Sequence, residues 1–239
     1  MRTAILGFLF FISITLGFAQ EMNSETLLEK SIAYHDPGGF WPTFEGAFQV
    51  KMQRPDGRER LSTIRLNFPK QFFHLFVEQG GTNTTYQIDK ENCTLLHNGN
   101  ASFDTETQEK FRLRCDYANK IKNYYTYLYG LPMKLRDPGT QISPKVNRKT
   151  FQGKTYWVME VLYDESVGSD QWYFYFDLET FALKAYQFYH DTEKNDGEYV
   201  VLAEEETIAG IKMPKKRAWY YNTEGIYLGT DILIPLAKE

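Results

Sequence analysis

The sequence predicts a mainly β protein built on one large, curved antiparallel sheet. This half-barrel has an N-terminal helix and a central helical insert covering its concave side. Runs of β-forming residues alternate with turn signals at intervals of about ten residues. The segment 169–191 reads as a hairpin with aromatic residues on both faces, so both faces are covered or one lines a cavity. A sheet of about a dozen strands curls rather than staying flat.

Residues 1–19 have the features of a secretory signal peptide, which leaves residues 20–239 as a single β domain. Arg2 supplies the positive start, residues 5–18 are almost entirely apolar, and Gly17 and Ala19 are the small residues before the cleavage point. The apolar run is shorter than the ~20 residues that a membrane helix needs. We therefore expect an exported protein that is periplasmic, associated with the outer membrane or secreted, with no stable membrane span.

Charge and cysteine content limit the function classes further. The net charge is −4 and becomes −5 once Arg2 is removed with the signal peptide, which makes nucleic acid an improbable partner class. The chain has two cysteines, Cys93 and Cys115, and their spacing matches no metal-binding pattern. Export permits a disulfide between them, while two free buried thiols are the alternative. We expect a monomer without a cofactor.

The chain after the signal peptide opens with a helix and continues as a meander of strands. Ser24 is the expected helix cap, Leu27, Leu28 and Ile32 follow at helical spacing, and residues 36–39 end the helix. Five strands are then predicted over 44–53, 59–68, 71–79, 84–89 and 93–97.

The segment 102–130 breaks the β pattern and predicts one or two helices. Its second half places Ile121, Tyr124, Tyr125, Leu128 and Tyr129 on one helical stripe, and Gly130 and Pro132 end it. The second set of strands is predicted over 143–151, 155–163, 171–176, 182–190, 198–206, 211–220 and 225–234.

This order of elements resembles the half-barrel of the LolA/LolB-like lipoprotein carriers. The hairpin phrase WYFYFDLETFAL at 172–183 and the segment GIKMP at 210–214 are similar to segments common in that superfamily. The resemblance implies a cavity for a lipid or another apolar ligand and no set of catalytic residues.

The chain also resembles an uncharacterised family of exported proteins known mainly from Bacteroidetes, which has no established activity. The segments that carry this resemblance are His35-Asp36-Pro37 with Trp41, YYTYLYGLPMKL at 124–135, DPG at 137–139, DGEY at 196–199 and LGTD at 228–231.

The aromatic residues are the main candidates for a binding site, since they make up 16% of the chain. They either fill the interior of the curled sheet or line a pocket with apolar walls and hydroxyl rims. Tyr124, Tyr125, Tyr127 and Tyr129 are candidates for a lid over a ligand; alternatively, the helical stripe that contains Tyr124, Tyr125 and Tyr129 is only the face that packs on the sheet. Arg136 is a candidate for an anionic head group or an ordinary surface residue. The candidate wall positions are Trp41, Trp157, Trp172 and Trp219.

Two His–Asp pairs are the most suggestive ionisable residues. His35 with Asp36 and His190 with Asp191 could meet to hold a metal ion or to act as acid and base. The alternative is that each aspartate shapes a turn and each histidine is an ordinary residue at the end of an element, as Pro37 after Asp36 favours. No metal or catalytic motif supports the functional interpretation.

The leading hypothesis is an exported envelope protein that binds or carries an apolar or amphipathic ligand, a lipid or a lipoprotein acyl chain, in the aromatic concavity. Envelope lipoproteins are candidate partners, and aromatic walls leave a carbohydrate ligand open. The alternatives are an envelope hydrolase or metal-dependent enzyme that uses the two His–Asp pairs, and an interaction module with a filled interior.

Overall fold

A computed structural model describes residues 22–236 of the chain. The predicted signal peptide at 1–19 lies outside the described residues. Helix α1 spans Ser24–His35, and the first five strands are β1 (Glu45–Gln53), β2 (Glu59–Asn67), β3 (Phe72–Gln79), β4 (Thr82–Asp89) and β5 (Asn92–His97). The helical insert consists of α2 (Thr105–Phe111) and α3 (Cys115–Gly130). Seven strands follow: β6 (Thr140–Phe151), β7 (Lys154–Tyr163), β8 (Gln171–Phe176), β9 (Leu183–Asp191), β10 (Asp196–Ile208), β11 (Ile211–Tyr221) and β12 (Tyr227–Pro235).

All twelve strands belong to one antiparallel sheet, which confirms the predicted fold class. The strand order is β5-β4-β3-β2-β1-β12-β11-β10-β9-β8-β7-β6, so the first and last strands of the chain meet at the centre. The order is linear and ends at β5 and β6, so the sheet is not closed into a barrel. The N-terminal helix and the central helical insert are also confirmed.

The two faces of the sheet carry separate hydrophobic clusters, which explains the doubly aromatic hairpin. Trp172, Phe174 and Phe176 of β8 belong to the main core on the concave face, together with residues of α1 and α3. Tyr173 and Tyr175 point to the convex face, where a small second cluster includes Phe151 from the end of β6. One face of the hairpin therefore faces the concavity and the other is covered locally.

The N-terminal cap of α1 differs from the prediction. Asn23 is the cap, and its side chain accepts a hydrogen bond of 2.9 Å from the Thr26 amide. Ser24 instead donates its hydroxyl hydrogen to the Ser143 carbonyl of β6. Both residue types suit a helix cap, and the neighbouring strand decides which of them takes the role.

The two cysteines form a disulfide. Cys93 of β5 is bonded to Cys115 at the start of α3, with their Cα atoms 5.9 Å apart. The bond fixes the beginning of α3 to the edge of the sheet, so this helix crosses the concave face from an anchored origin. In the part of the chain that the structure describes, no helix is long and apolar enough to cross a bilayer.

Candidate ligand-binding cavity

Helix α3 divides the concave face into a packed part and an open part. In the packed part, Tyr129 of α3 lies 4.8 Å from Phe48 between ring centroids and is 2% exposed. Tyr125, stacked on Tyr129 at 6.0 Å, and Leu128 are buried in the same cluster. These side chains fill the space between helix and sheet, as the packing interpretation of the tyrosine stripe predicts.

A buried arginine completes the packed part. Arg217 of β11 is 1% exposed and lies 3.9 Å from the centroid of the Tyr129 ring. Its guanidinium donates to the Pro214 carbonyl at 2.9 Å and to the Leu128 carbonyl at 3.3 Å. Leu128 lies in the last turn of α3, where backbone carbonyls have no partner within the helix. Arg217 therefore joins the end of α3 to the sheet.

The open part is a cavity of about 1160 Å³. It extends across eight neighbouring strands, from β2 at one side to β7 at the other. Tyr124, Tyr127 and Leu128 of α3 form its roof, and the turns 54–58 and 163–170 border its mouth. Each of these eight strands contributes at least one residue to the wall. In sheet order from β2 to β7, a representative set is Arg60, Met52, Asp231, Trp219, Glu198, Phe188, Trp172 and Tyr163.

The wall near β7, β8 and β9 is aromatic. Trp172 stacks on Phe188 with ring centroids 4.6 Å apart, and Tyr127 approaches Trp172 edge-on at 5.9 Å. The hydroxyls of Tyr127 and Tyr163 are hydrogen-bonded to each other. Burial raises the pKa of Tyr163 to about 12, so its hydroxyl is neutral at physiological pH. This side of the cavity offers apolar surface with few charges.

The wall near β2, β1 and β12 is polar. Asp231 is 6% exposed, and its Oδ2 accepts a hydrogen bond of 3.1 Å from the Trp219 indole. Its Oδ1 is buried and has no hydrogen-bond partner among the described residues. Burial raises the pKa of Asp231, and the charges of Arg60 and Arg217 oppose that rise. Glu198 of β10 lies on the other side, directly opposite Phe188 in the sheet; burial raises the pKa of its carboxyl group, and the charge of His190 opposes that rise.

A glycine makes room for this arrangement. Gly229 lies directly opposite Trp219 in the sheet and has φ +147°. A Cβ atom at this position would lie 2.7 Å from the Gln53 carbonyl oxygen. The absence of a side chain lets β1 approach β12 closely beside the indole that holds Asp231.

Four of the aromatic residues predicted for the site line the cavity. They are Tyr124, Tyr127, Trp172 and Trp219. Tyr125 and Tyr129 face the packed part instead, because a helix turns by about 100° per residue and adjacent tyrosines diverge. Sequence reasoning missed Tyr163 and Phe188 on the aromatic wall.

The other predicted site residues lie away from the cavity. Trp41 is 8% exposed and packs on Gly130, where a Cβ atom would lie 2.1 Å from the indole. Trp157 is partly buried against the main core, with the Arg148 guanidinium 4.3 Å from its ring centroid. Arg136 is exposed and paired with Glu25 of α1 at 2.9 Å.

The structure does not bring the two His–Asp pairs together. His35 is fully buried, hydrogen-bonded to the Lys212 carbonyl at 2.7 Å, and it accepts the Leu183 amide hydrogen at 3.0 Å. Burial lowers the pKa of His35 to about 4. His190 lies at the opposite end of β9 from Leu183, about 23 Å away at about 3.3 Å per residue.

The partners of the remaining residues of these pairs are structural. Asp36 accepts the Phe40 and Trp41 amide hydrogens at 2.7 and 2.9 Å, as the turn interpretation predicts. Asp191 is paired with Lys194 at 2.7 Å, and His190 with Asp170 at 2.7 Å. Within residues 22–236, no group of three or more His, Cys, Asp or Glu side chains is placed to hold a metal ion.

Comparisons with known proteins identify a family and several solved structures. The model described as "Family of unknown function (DUF6503)" matches residues 5–235. No curated protein matches the chain.

Three solved structures are similar over most of the chain at low sequence identity. A LolA superfamily protein from Nitrosomonas europaea is 11% identical, with 91% of this chain and 96% of that chain covered and a TM-score of 0.47. A domain described as an outer membrane lipoprotein-sorting protein from Vibrio parahaemolyticus is 10% identical, with 87% and 88% covered and a TM-score of 0.45. A DUF1329 family protein from Desulfovibrio piger is 8% identical, with 88% and 90% covered and a TM-score of 0.44.

Proposed function

The chain belongs to the family of unknown function DUF6503, and from this premise we propose that it is an exported envelope protein that binds an amphipathic ligand in the cavity under α3. The ligand class is a lipid or the acyl chain of a lipoprotein, and the protein holds or carries it without changing it chemically. That the family consists of exported proteins from Bacteroidetes stays a prediction.

The observation that carries the proposal is the contrast between the two parts of one concave face. The packed part is filled by the chain's own side chains, whereas the open part has about 1160 Å³ of space and an aromatic wall. Ligand pockets of proteins typically have volumes of about 300–1000 Å³ and mostly apolar walls with a few polar groups. An interaction module with a filled interior would not need this space.

The mouth of the cavity supports the same function. Val167, Tyr221 and Tyr227 line the mouth and are 58%, 47% and 38% exposed. The turn 54–58 on the other side of the mouth carries Arg54, Asp56 and Arg58, so the opening is apolar on one side and charged on the other. The exposed apolar side chains offer a path along which an apolar chain can enter or leave.

Export is supported by two independent features of the chain. Residues 1–19 have the pattern of a signal peptide. The disulfide between Cys93 and Cys115 is of a kind that persists in oxidising compartments. Both features support an extracytoplasmic envelope location.

Binding of a neutral fluorescent lipid analogue to the purified protein tests the proposal. Phe188→Asp places a charge on the aromatic wall and should weaken uptake about tenfold or more, because the charge has to be desolvated when an apolar chain fills the cavity. Tyr189→Asp changes the neighbouring residue of β9, which points to the convex face, and should leave uptake unchanged. Mass spectrometry of organic extracts should detect lipid bound during expression.

Two results would count against a carrier. One is the absence of uptake by the unchanged, folded protein together with no extractable lipid. The other is an equal loss of uptake in Phe188→Asp and Tyr189→Asp, which would place the probe outside the cavity.

A further inference from the structure

The polar wall of the cavity contains a row of charged residues that crosses four neighbouring strands. In the sheet register, Arg60 of β2 is opposite Met52 of β1, Met52 is opposite Asp231 of β12, and Asp231 is opposite Arg217 of β11. Directly opposed residues in antiparallel strands point to the same face. The row therefore places two arginines and one aspartate on the concave face.

Asp231 and Arg217 have partners that reduce the cost of burying their charges. Trp219 donates a hydrogen bond to Asp231, which is also within electrostatic reach of both arginines. Arg217 donates to two backbone carbonyls and lies on the Tyr129 ring.

Arg60 is different because its guanidinium has no partner in the described residues. It forms no hydrogen bond there and no ion pair within 4.0 Å, and its Nε atom is buried. The residue is partly buried beneath α3, within electrostatic reach of Tyr125, Asp231 and Tyr124 but hydrogen-bonded to none of them. A buried cation without a hydrogen-bonded partner is costly, and charged groups inside proteins are normally paired.

The position of Arg60 relative to the aromatic wall gives the ligand a direction. Arg60 lies on β2 at one side of the cavity, and Trp172 and Phe188 lie on β8 and β9 near the other side. A ligand whose charged group meets Arg60 can therefore extend its apolar chain along the wall towards Trp172. The polar and apolar sides of the cavity match the two ends of an amphipathic molecule.

We propose that the ligand of this cavity carries an anionic head group, a carboxylate or a phosphate, that is bound by Arg60. This inference rests on the binding function proposed above. The guanidinium presents up to five donor hydrogens in a planar fork, which suits the paired oxygens of either anion. Arg60 and Arg217 together outnumber Asp231 in the row, so its net charge is positive and favours an anion.

A cationic head group at Asp231 is the competing assignment. The Asp231 carboxylate already accepts one hydrogen bond and lies near two arginines, and a ligand cation would be repelled by both. The Arg60 guanidinium has no hydrogen-bonded partner among the described residues, whereas the Asp231 carboxylate has one, so the free site favours an anion.

Displacement of a neutral fluorescent probe from the cavity tests the proposal. The competitors are dodecanoic acid, dodecyl phosphate, dodecanol and dodecyltrimethylammonium, which share one chain and differ in the head group. We expect the acid or the phosphate to displace the probe at concentrations about tenfold lower than the alcohol, and the ammonium to compete least well. Preference between the two anions distinguishes a fatty acid from a phosphorylated lipid.

Variants connect this preference to Arg60. Arg60→Gln should remove the advantage of the anion over the alcohol, a ratio measured against the same probe within each protein, while Arg60→Lys should keep part of it. Arg136→Gln, which changes an exposed arginine outside the cavity, is the matched control and should behave as the unchanged protein. Asp231→Asn removes the negative charge of the row and should increase the anion's advantage a few-fold.

The outcomes separate this inference from the proposed function. If the unchanged protein binds the probe and all four competitors act equally, the head-group assignment is overturned and the carrier function stands. If no probe binds to folded protein, the carrier function itself is overturned. Circular dichroism checks that each variant folds, and should Arg60→Gln fail to fold, the opposite changes expected in Arg60→Lys and Asp231→Asn decide the assignment.

Discussion

Arg60 and Arg217 occupy the same cross-strand row and have opposite environments. Arg217 lies in the packed part of the concave face, where two carbonyls accept its hydrogens and Tyr129 covers it. Arg60, three strands away in the sheet order, lies in the open part and has no hydrogen-bonded partner in the described chain, although Asp231 is within its electrostatic reach. The Nε of each arginine is buried without a hydrogen-bond partner, so the difference lies in the terminal guanidinium nitrogens. Those of Arg217 join parts of the fold, whereas those of Arg60 are left for a ligand.

The largest expected effect comes from replacing Arg217, which donates hydrogen bonds to two backbone carbonyls. Arg217→Met should lower the free energy of unfolding by about 4 kcal/mol, because two hydrogen bonds from a charged donor are lost and two buried carbonyls lose a partner. Arg60→Met should change it by about 0.5 kcal/mol or less, since no protein hydrogen bond is broken and the lost attraction to Asp231 opposes the gain from no longer burying a charge. Urea denaturation of both variants measures the difference, and equal losses would contradict the assigned roles.

The disulfide provides a second test, because it anchors the opposite end of α3 from Arg217. It anchors the start of α3, whereas Arg217 anchors the end, at the last of the residues that roof the open part. Replacing Cys93 and Cys115 by serine should lower the free energy of unfolding by about 3 kcal/mol, from the entropy of a loop of 22 residues.

Hydrogen exchange locates this effect within α3. Amide exchange should accelerate more around Tyr124 than around Leu128, because Arg217 still holds the end of the helix. Uniform acceleration along α3 would show that the two anchors are not independent.

The sequence pattern was sufficient for the architecture. Strand β8 has the bounds that its alternation predicts, because aromatic residues occupy both phases and turns flank it. Strand β6 begins at Thr140, three residues before the prediction, and a register shift between Ile142 and Val146 accommodates Pro144. The observed bounds differ from the predicted ones where a bulge or a neighbouring strand determines them, whereas the type and order of the elements agree with the prediction.

The binding site was less accessible from sequence because its partners are distant in the chain. Arg60, Asp231 and Arg217 are each in phase with apolar residues of their strands, such as Ile64 and Leu233, and this signal could have marked them as concave-face charges. The different roles of Arg60 and Arg217 could not be predicted from the sequence, because they depend on partners that are distant in the chain. The carbonyl that satisfies Arg217 belongs to Leu128, 89 residues earlier in the chain.

A third prediction concerns the acid sensitivity of the contacts between α1 and the sheet. The buried, neutral His35 ties α1 to β9 and β11, and its pKa falls from 6.5 to about 4 on folding. The unfolded chain binds a proton below pH 6.5 while the folded protein does not, so stability decreases as pH falls from 6.5 to 4. At pH 4.5 the loss relative to pH 7 should be about 2–3 kcal/mol.

Urea denaturation at several pH values measures this dependence. His35→Gln lacks the titration and should show a loss between pH 7 and pH 4.5 that is smaller by that amount, although its stability at pH 7 is lower. A pH dependence identical in the two proteins would mean that His35 is protonated in the folded state as readily as in the unfolded chain.

The smallest expected effect is a gain, and it comes from the open part. Burial raises the pKa of Asp231, so the folded protein holds its proton more readily than the unfolded chain, and the ionised form costs stability at neutral pH. Asp231→Asn should therefore raise the free energy of unfolding by about 1 kcal/mol at pH 7, since the amide still accepts from Trp219 and a neutral group is cheaper to bury. The gain should shrink as pH falls and the aspartate becomes protonated. A loss of stability in Asp231→Asn at pH 7 would instead make Asp231 a structural partner of Arg60 and Arg217.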